Sequence, residues 1–407
     1  MQTNLADFIK DSPDGREAES ILRTCVHCGF CTATCPTYQI QGDELDGPRG
    51  RIYLMKQMLE GAPVTAKTQL HLDRCLTCHS CETTCPSGVR YGHLVDIGRK
   101  FVAERVERPV SDKLTRWVMA TFFRHPGSFR LALGAGMAVR AFLPAPLRSK
   151  LPASIPSAGE WPGARHARRF VALAGCAQPV LTPDTNAAAA RVLDRIGISL
   201  IDSKGCCGAL RFHLDHQADG LDDMRRVIDT WWPHVEQGVE GFAMTATGCG
   251  STVREYGHHL QHDPAYAAKA ERVSAITRDL TEVVAAERAR LLPLLAGKKM
   301  PRVAFHPPCT LQHWQKLRGL AEGLLRDFGY ELTPVADAHL CCGSAGTYAI
   351  TQPELSEQLK RNKIAALEAE KPELILTANM GCETHLATAA GVPVKHWIVD
   401  LDERLRS

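Results

Sequence analysis

Two runs of cysteine near the start of the chain have the spacing of iron–sulfur ligands. Cys-x2-Cys-x2-Cys-x3-Cys-Pro occupies positions 25–36 and recurs at 75–86. Three thiolates at i, i+3 and i+6 on a tight turn can converge on one 4Fe-4S cube, while the fourth thiolate, at the start of a helix, reaches the other cube. The two runs therefore predict two 4Fe-4S clusters that exchange their fourth ligand. The predicted ligands are Cys25, Cys28, Cys31 and Cys85 for cluster 1, and Cys75, Cys78, Cys81 and Cys35 for cluster 2.

Structural zinc is the alternative interpretation of these runs, because four-cysteine zinc sites also use Cys-x2-Cys pairs. A zinc site needs two such pairs, whereas each run here has four cysteines followed by proline, which favours clusters. Pro36 and Pro86 suit the first position of a helix, where a missing N–H loses no partner. His27 and His79 lie inside the runs, but cysteines fill all the ligand positions. We expect both imidazoles to surround the clusters or face solvent.

The other eight cysteines belong to a second repeat, a unit of about 130 residues that occurs twice. Each copy contains an adjacent Cys-Cys-Gly. Neighbouring thiolates suit soft metals and can bind different irons of one cluster, and glycine lets the backbone approach the metal. We expect one or two additional iron–sulfur or zinc centres here, although a copy without metal, serving structure or redox chemistry, stays open. The candidates are Cys176, Cys206, Cys207 and Cys249 in the first copy, and Cys309, Cys341, Cys342 and Cys382 in the second.

Histidine distinguishes the second copy from the first. His306, His313, His339 and His385 lie near its cysteines, whereas the corresponding positions of the first copy include Leu173, Lys204 and Thr252. If only one copy is a working terminal site, we expect it to be the second.

Strands and helices alternate in each 130-residue unit. Strand-like runs begin at Phe170 and Arg302, and again at Gly241 and Glu373, each ending near a cysteine. Residues 184–197 and 316–329 have the apolar spacing of helices and end at glycine. Such alternation predicts parallel sheets, whose strand ends bring the cysteines to one edge.

The predicted fold is therefore α+β and α/β: an α-helical ferredoxin-type two-cluster domain followed by a duplicated α/β domain rich in cysteine. The predicted ferredoxin domain contains a helix from Pro48 to Glu60 between its runs. The expected divisions are a two-cluster domain over 1–100, a helical connector with a Pro/Ser/Gly-rich linker over 101–168, and the two copies over 169–300 and 301–407.

Composition excludes several classes of protein. Lys+Arg 48 against Asp+Glu 45 gives a net charge of +3, too small a basic field to indicate nucleic-acid binding. The first 20 residues have no apolar core of a signal peptide, and no uncharged apolar run reaches 18 residues. We expect a cytoplasmic protein, either free or peripheral on the cytoplasmic face of the inner membrane, in which 16 cysteines are not eight disulfides.

The apolar segment 117–143 is interrupted by arginine and proline. Its charges exclude a membrane span and leave three interpretations. It packs between domains, docks a partner, or lies in a membrane interface.

No nucleotide-binding motif accompanies the cysteines. Gly134-Ala-Gly136 is the nearest match to Gly-x-Gly-x-x-Gly, and Val139 stands where the third glycine belongs. We therefore expect no flavin, nicotinamide or catalytic acid–base site on this chain. A protein that carries single electrons without an organic cofactor needs a partner that holds one.

This order of motifs resembles the iron–sulfur subunits of glycolate oxidase, anaerobic glycerol-3-phosphate dehydrogenase and lactate-oxidising systems. The local sequence around the motifs is most similar to that of the glycolate oxidase subunits. The resemblance spans about residues 20–400 and is carried by CVHCGFCTATCPTY, GDELDGPRGRIYL, HLDRCLTCHSCETTCPSGVRYGHL, GCAQPVLTPDTNAAAARVLDRIGI, CTLQH and HLCCGSAGTY. It implies FAD-binding partner subunits that oxidise glycolate, with D-lactate as a second substrate, and electron transfer through this chain to membrane quinone or another acceptor. The eight ferredoxin cysteines would hold the two clusters.

The duplicated unit also resembles the CCG cysteine-rich domain of heterodisulfide reductase, where a fifth cysteine often completes the site. Cys249-Gly-Ser-Thr and Cys382-Glu-Thr-His lack that cysteine. A related lactate or glycerol-3-phosphate dehydrogenase subunit and a heterodisulfide-reductase-like subunit are the alternative functions. A zinc scaffold is a third, which metal analysis would identify.

Overall fold

The computed structural model describes residues 1–142, 151–152 and 154–407. The chain forms two compact units, each described by itself. The first unit contains Met1–Thr115 together with His339–Leu359, and the second contains Arg116–Ala338 together with Lys360–Ser407. The predicted domain boundaries at 100, 168 and 300 stay a prediction, and the start of the predicted linker, 143–150, lies outside the described residues.

The first unit is helical. Ser12, as N-cap, accepts a hydrogen bond from the Gly15 N–H, and prolines begin three of the helices. Leu22, Met55 and Leu94 are fully buried in one apolar core. The helices are Pro13–Thr24, Pro36–Gln41, Pro48–Leu59, Ala66–Asp73, Ser80–Thr84, Tyr91–Ala103 and Tyr348–Thr351, with 3-10 turns at Phe30–Thr32 and Glu44–Asp46.

The two proline positions that the sequence treats alike have different structures. Pro36 begins a helix, as predicted, but the prediction for Pro86 is wrong: the next helix begins at Tyr91. Gly88 has a left-handed φ of 66° and donates its N–H to the Cys85 carbonyl at 3.2 Å. This turn interrupts the chain before a helix can form.

The second unit contains two four-stranded parallel sheets with the same topology. The first sheet has the order β2-β1-β3-β4 and the second the order β6-β5-β7-β8. Identical strand orders confirm the predicted duplication of an α/β fold. The strands are β1 Arg168–Leu173, β2 Ile198–Ser203, β3 Gly241–Met244, β4 Thr277–Asp279, β5 Arg302–His306, β6 Glu331–Leu332, β7 Leu374–Thr377 and β8 Val394–His396.

One apolar core joins the two sheets within the second unit. Its members include Ala188 and Leu193 of the first copy and Leu324, Leu376 and Trp397 of the second.

The remaining helices are Val110–Phe122, Pro126–Ala138, Gln178–Leu181, Asp184–Arg195, Ala209–Phe212, Gln217–Glu236, Thr247–Arg254, Tyr256–His259, Ala267–Ile276, Leu280–Ala286, Arg288–Leu295, Leu320–Asp327, Pro353–Glu368, Met380–Ala387 and Trp397–Arg406, with 3-10 and π turns at Arg140–Phe142 and Thr310–Trp314.

The apolar middle segment forms two helices, because Pro126 begins a new one. Trp117, Leu131 and Phe142 are exposed on it. Within the described residues, no helix combines the length and apolar character that crossing a membrane requires.

Candidate metal centres

The first unit brings Cys25, Cys28, Cys31 and Cys85 together. Burial raises the pKa of the Cys25 thiol, and the charges of Cys85 and Cys28 raise it further. Burial likewise raises the pKa of Cys31 to about 11, with added repulsion from Cys25, Cys85 and Cys28. All four side chains line one open cavity, and Cys28 is exposed. This is the set of thiols predicted for cluster 1.

A second set in the same unit consists of Cys35, Cys75, Cys78 and Cys81. Burial raises the pKa of the Cys81 thiol well above its ordinary value, and the charges of Cys78, Cys75 and Cys35 act on it in the same direction. Cys35, Cys75 and Cys81 are buried. The fourth cysteine of each run thus lies with the first three cysteines of the other run.

The backbone turns alike in both runs. His27 and Thr77 occupy the same position of the motif with φ of 59° and 51°, and Gly29 and His79 occupy another with φ of 85° and 58°. Left-handed φ is rare for residues other than glycine, and such strain persists where the surroundings enforce it. The turn aims the Thr77 N–H at Cys75 Sγ, 3.4 Å away. Backbone N–H groups directed at sulfur suit a thiolate that carries metal charge.

A buried arginine lies beside the second set, and sequence reasoning missed it. The charges of Cys75 and Cys35 act on the Arg51 guanidinium, which is 1% exposed. Arg51 Nε donates to the His71 carbonyl at 2.7 Å, and its terminal nitrogens donate to Thr37 Oγ1 at 3.2 Å.

Asp46 provides the countercharge for this arginine. Its carboxylate is fully buried and lies 3.6 Å from Arg51, 2.7 Å from Arg74 and 2.9 Å from His71 Nδ1. Its carbonyl accepts from Thr37 Oγ1, which lies 3.3 Å from Cys35 Sγ. A network of buried charges thus reaches one predicted ligand.

The four cysteines of the first copy converge in the second unit. Hydrogen bonds from Cys176 and Cys207 lower the pKa of the Cys206 thiol well below its ordinary value, and the Gly208 N–H adds to the effect. Cys207 also contacts Cys249. Three of the six pairs among these cysteines are therefore hydrogen-bonded: Cys176 with Cys206, Cys206 with Cys207, and Cys207 with Cys249.

Two further residues serve this group. The Arg124 charge also lowers the Cys206 pKa, and Arg124 is held by buried Asp223, with Nε to Oδ1 at 2.8 Å. Tyr256, fully buried, donates its hydroxyl to the Cys207 carbonyl at 2.9 Å. The spacing of the cysteines does not reveal either residue. In the sequence, Arg124 is only one of the charges that interrupt an apolar segment.

The cysteines of the second copy are divided between the two units. Cys341 and Cys342 belong to His339–Leu359 of the first unit. There the Gly343 N–H donates to Cys341 Sγ at 3.4 Å. Tyr348 donates its hydroxyl to the Arg74 carbonyl at 3.0 Å, and the charges of Cys75 and Cys341 both act on it. This cysteine pair therefore approaches the second ferredoxin set through Tyr348.

Cys309 and Cys382 lie in the second unit, after strands β5 and β7. Asn379 Nδ2 lies 3.6 Å from Cys382 Sγ, and its Oδ1 accepts from the Gly248 N–H at 3.3 Å. Asn379 thus connects the second copy to the residue before Cys249. His306, at the end of β5, is buried beside Cys382.

The donor chemistry fits iron–sulfur clusters. All 16 cysteines lie in the described residues and none of them forms a disulfide, and each ferredoxin group brings four cysteines together. Four thiolates are the ordinary ligand set of a 4Fe-4S cluster. The assignment of individual ligands stays a prediction.

Comparison with known families agrees with this architecture. A 4Fe-4S dicluster domain matches residues 21–89, and a cysteine-rich domain, CCG, matches 170–254 and 303–387. The chain is thus an iron–sulfur protein that combines a dicluster domain with duplicated CCG domains.

Full-length relatives specify the family. The chain is 54% identical to the glycolate oxidase iron-sulfur subunit of Escherichia coli K12, over 100% of this chain and 99% of that protein. It is 29% identical to the probable glycolate oxidase iron-sulfur subunit of Bacillus subtilis, over 90% and 88%. Lactate utilization protein A of Bacillus licheniformis is 26% identical over 53% of this chain and 89% of its own length. The chain belongs to the family of glycolate oxidase iron-sulfur subunits.

Proposed function

We propose that this chain carries electrons within a glycolate-oxidising complex, from an FAD-binding partner subunit to a quinone-type acceptor. Oxidation of glycolate to glyoxylate releases two electrons and two protons, which a flavin takes up together. Iron–sulfur clusters accept and release electrons one at a time. The observation that carries this proposal is the pair of four-cysteine groups in the first unit, in which the fourth cysteine of each run lies with the first three of the other run.

The cysteines would hold two clusters, an outer cluster near the surface and an inner one. Cys25, Cys28, Cys31 and Cys85 would hold the outer cluster, since Cys28 is exposed beside Val26 and Phe30, which are 67% and 62% exposed. Exposed apolar side chains around a cluster support docking of an electron-transfer partner.

Cys75, Cys78, Cys81 and Cys35 would hold the inner cluster. Tyr348 lies close to both this set and Cys341, because the charges of Cys75 and Cys341 both act on its hydroxyl. This neighbourhood supports electron transfer onward to the second CCG copy.

The substrate is proposed from the relatives, because we expect the flavin that takes up the hydride to lie on a partner subunit. The experiment is to purify the chain with its bound partners under anaerobic conditions and to measure dye reduction with glycolate, D-lactate, L-lactate and glycerol-3-phosphate. We expect bound FAD on a partner and reduction with glycolate. Reduction with only L-lactate or glycerol-3-phosphate would overturn glycolate as the substrate. A preparation that holds zinc without iron would overturn electron transfer.

The quinone step has its own test. Adding a water-soluble ubiquinone analogue to the glycolate-reduced complex should reoxidise the clusters. Electron paramagnetic resonance measures this reoxidation. Clusters that stay reduced with the quinone but are reoxidised by a protein acceptor would contradict a quinone-type acceptor.

A further inference from the structure

His306 is a buried imidazole at the carboxyl end of a central strand. It is the last residue of β5, pairs in register with Thr377 of β7, and is 1% exposed. Its backbone carbonyl accepts from Thr377 Oγ1 at 3.0 Å, so the backbone is satisfied. In parallel sheets, this edge is where ligands and metals bind.

Neither ring nitrogen of His306 has a hydrogen-bond partner. Buried polar groups are ordinarily hydrogen-bonded, so an imidazole that is closed to solvent and lacks both partners requires an explanation. Neutral imidazole is a common metal ligand, and a metal would occupy a lone pair that the protein leaves unused.

His396 provides the contrast within the same sheet. It too is fully buried, at the end of β8. Its Nε2 lies 2.9 Å from the Thr245 carbonyl, and its Nδ1 accepts from the Ile398 N–H at 3.3 Å. This imidazole uses both nitrogens to hold the fold, whereas His306 uses neither. Burial alone therefore does not account for His306.

A thiol stands next to the unused imidazole. A ring nitrogen of His306 lies within 4.8 Å of Cys382 Sγ, and Cys382 is 4% exposed. Ligand bonds of about 2.0 Å to nitrogen and about 2.3 Å to sulfur place the two donor atoms of a tetrahedral site roughly 3.5 Å apart. A small side-chain adjustment is enough for both to bind one metal.

The first copy has no imidazole at the corresponding position. The position that corresponds to His306 is Leu173, which is buried in the apolar core of that copy. The same fold therefore accepts a leucine at the end of this strand, which makes leucine a suitable replacement in a test.

We propose that His306 is a metal ligand of the second CCG copy, where an imidazole nitrogen joins the Cys382 thiolate of the same unit in place of a further thiolate. The metal is of the class that takes mixed nitrogen and sulfur ligands, the iron of a cluster or zinc. The first copy, with cysteine alone, binds without nitrogen if it binds at all. This inference concerns metal content and is independent of which substrate the complex oxidises.

The test compares His306→Leu with the unmodified full chain, both purified anaerobically, by counting iron, zinc and sulfide. We expect His306→Leu to lose the metal of the second copy. Zinc falls by about one per chain if the site holds zinc. If it holds a cluster, iron falls while about eight irons of the ferredoxin clusters remain. His396→Gln is the matched control, and it should keep all metal.

X-ray absorption provides a second measurement that does not depend on how well the leucine variant folds. His306→Cys should retain the metal, but a metal–nitrogen shell at about 2.0–2.1 Å in the unmodified chain should be replaced by sulfur at about 2.3 Å. Equal metal content in His306→Leu together with an unchanged absorption spectrum in His306→Cys would overturn the proposal. An unmodified chain with only eight irons and no zinc would overturn it as well.

Discussion

At the scale of single residues, a buried arginine distinguishes the two cysteine groups of the first unit. Arg51 lies beside Cys35 and Cys75, and Arg99 donates to the Cys75 carbonyl at 2.7 Å. Near the other group, Arg49 is 38% exposed in its side chain and pairs with Glu44 at 2.6 Å. A charge in a low-dielectric surrounding acts more strongly than one in water.

Replacing Arg51 by Met should lower the midpoint potential of cluster 2. A cation stabilises the reduced cluster, which carries one more negative charge, so its removal favours the oxidised form. We expect a fall of roughly 60 mV, which is about 1.4 kcal/mol for one electron. A redox titration followed by electron paramagnetic resonance measures it.

Two variants serve as controls for this potential. Arg51→Lys keeps the charge and should stay within about 20 mV of the parent, and Arg49→Met should leave both clusters unchanged because water screens its charge. Equal potentials in the Arg51→Met variant and the parent would show that the cation is structural only.

The spacing of the cysteines predicts which of them group together, but it does not predict the other residues around each group. Spacing alone grouped Cys85 with the first run and Cys35 with the second, and the structure brings these thiols together as grouped. Arg51, Arg124 and Tyr256 could not be found, because nothing in a sequence distinguishes an arginine or tyrosine that folding will bury from one that it leaves in solvent. His306 was noted only as one of four histidines near the cysteines of the second copy.

At the scale of elements, the glycine after each adjacent cysteine pair lets a loop approach a helix. Gly208 has φ of 91°, and a Cβ there would lie 2.6 Å from the Gly220 carbonyl oxygen in helix Gln217–Glu236. Gly343 has φ of 90°, and a Cβ there would lie 2.6 Å from the Ser356 carbonyl oxygen. The cysteine pair of each copy is therefore fixed by a close contact between backbones.

Gly208→Ala should destabilise the second unit by about 2–4 kcal/mol, since it combines a left-handed φ with a clash against backbone. Gly238→Ala is the matched control: its φ is 76°, but nothing lies within 4 Å of the added Cβ. The control should lose only about 1–2 kcal/mol. Thermal denaturation of both variants gives the comparison, and equal losses would mean that φ alone sets the cost.

The sequence predicts that these helices exist more accurately than it predicts the residues at which they begin and end. Helix Asp184–Arg195 was expected over 184–197, whereas helix Leu320–Asp327 was expected over 316–329. Lys316 and Gly319 have left-handed φ of 59° and 79° and delay the second helix. Apolar spacing carries no information on these dihedral angles, and it also gave no warning of the turn at Gly88.

At the scale of the whole molecule, stability should depend on pH through His396. Burial lowers the pKa of this imidazole to about 4 from an ordinary 6.5. Between these values the unfolded chain binds a proton that the folded chain does not. The stability that His396 provides is therefore fully present above pH 6.5 and is lost as the pH falls toward 4.

His396→Gln should reduce this dependence, because glutamine can still donate to the Thr245 carbonyl but does not titrate. Between pH 7.5 and 5.5, we expect the parent to lose about 1.4 kcal/mol more than the variant. Melting temperatures at the two pH values measure the difference. Parallel losses in both proteins would mean that folding does not lower the pKa of His396, contrary to this prediction.

Electron delivery is a second property of the assembled protein, and Phe30 offers a test. Phe30→Glu places a charge on the exposed apolar surface beside Cys28 and should slow electron transfer from the proposed flavin partner about tenfold or more, with the iron content unchanged. Stopped-flow reduction of the clusters by glycolate measures it. Leu292→Glu, at an exposed position of helix Arg288–Leu295 in the second unit, is the control, and an equal effect of both variants would argue against docking at Phe30.

The discontinuous first unit constrains how the protein can be made. Its chain is complete only when His339–Leu359 has been synthesised, long after residue 115 has left the ribosome. During that interval the Arg74 carbonyl lacks the Tyr348 hydroxyl, and the loop before Cys75 lacks its cover. Cluster insertion at Cys75, Cys78 and Cys81 should therefore be completed after translation, on a nearly finished polypeptide. A premature stop before residue 339 would yield a protein in which the loop before Cys75 permanently lacks the Tyr348 hydrogen bond.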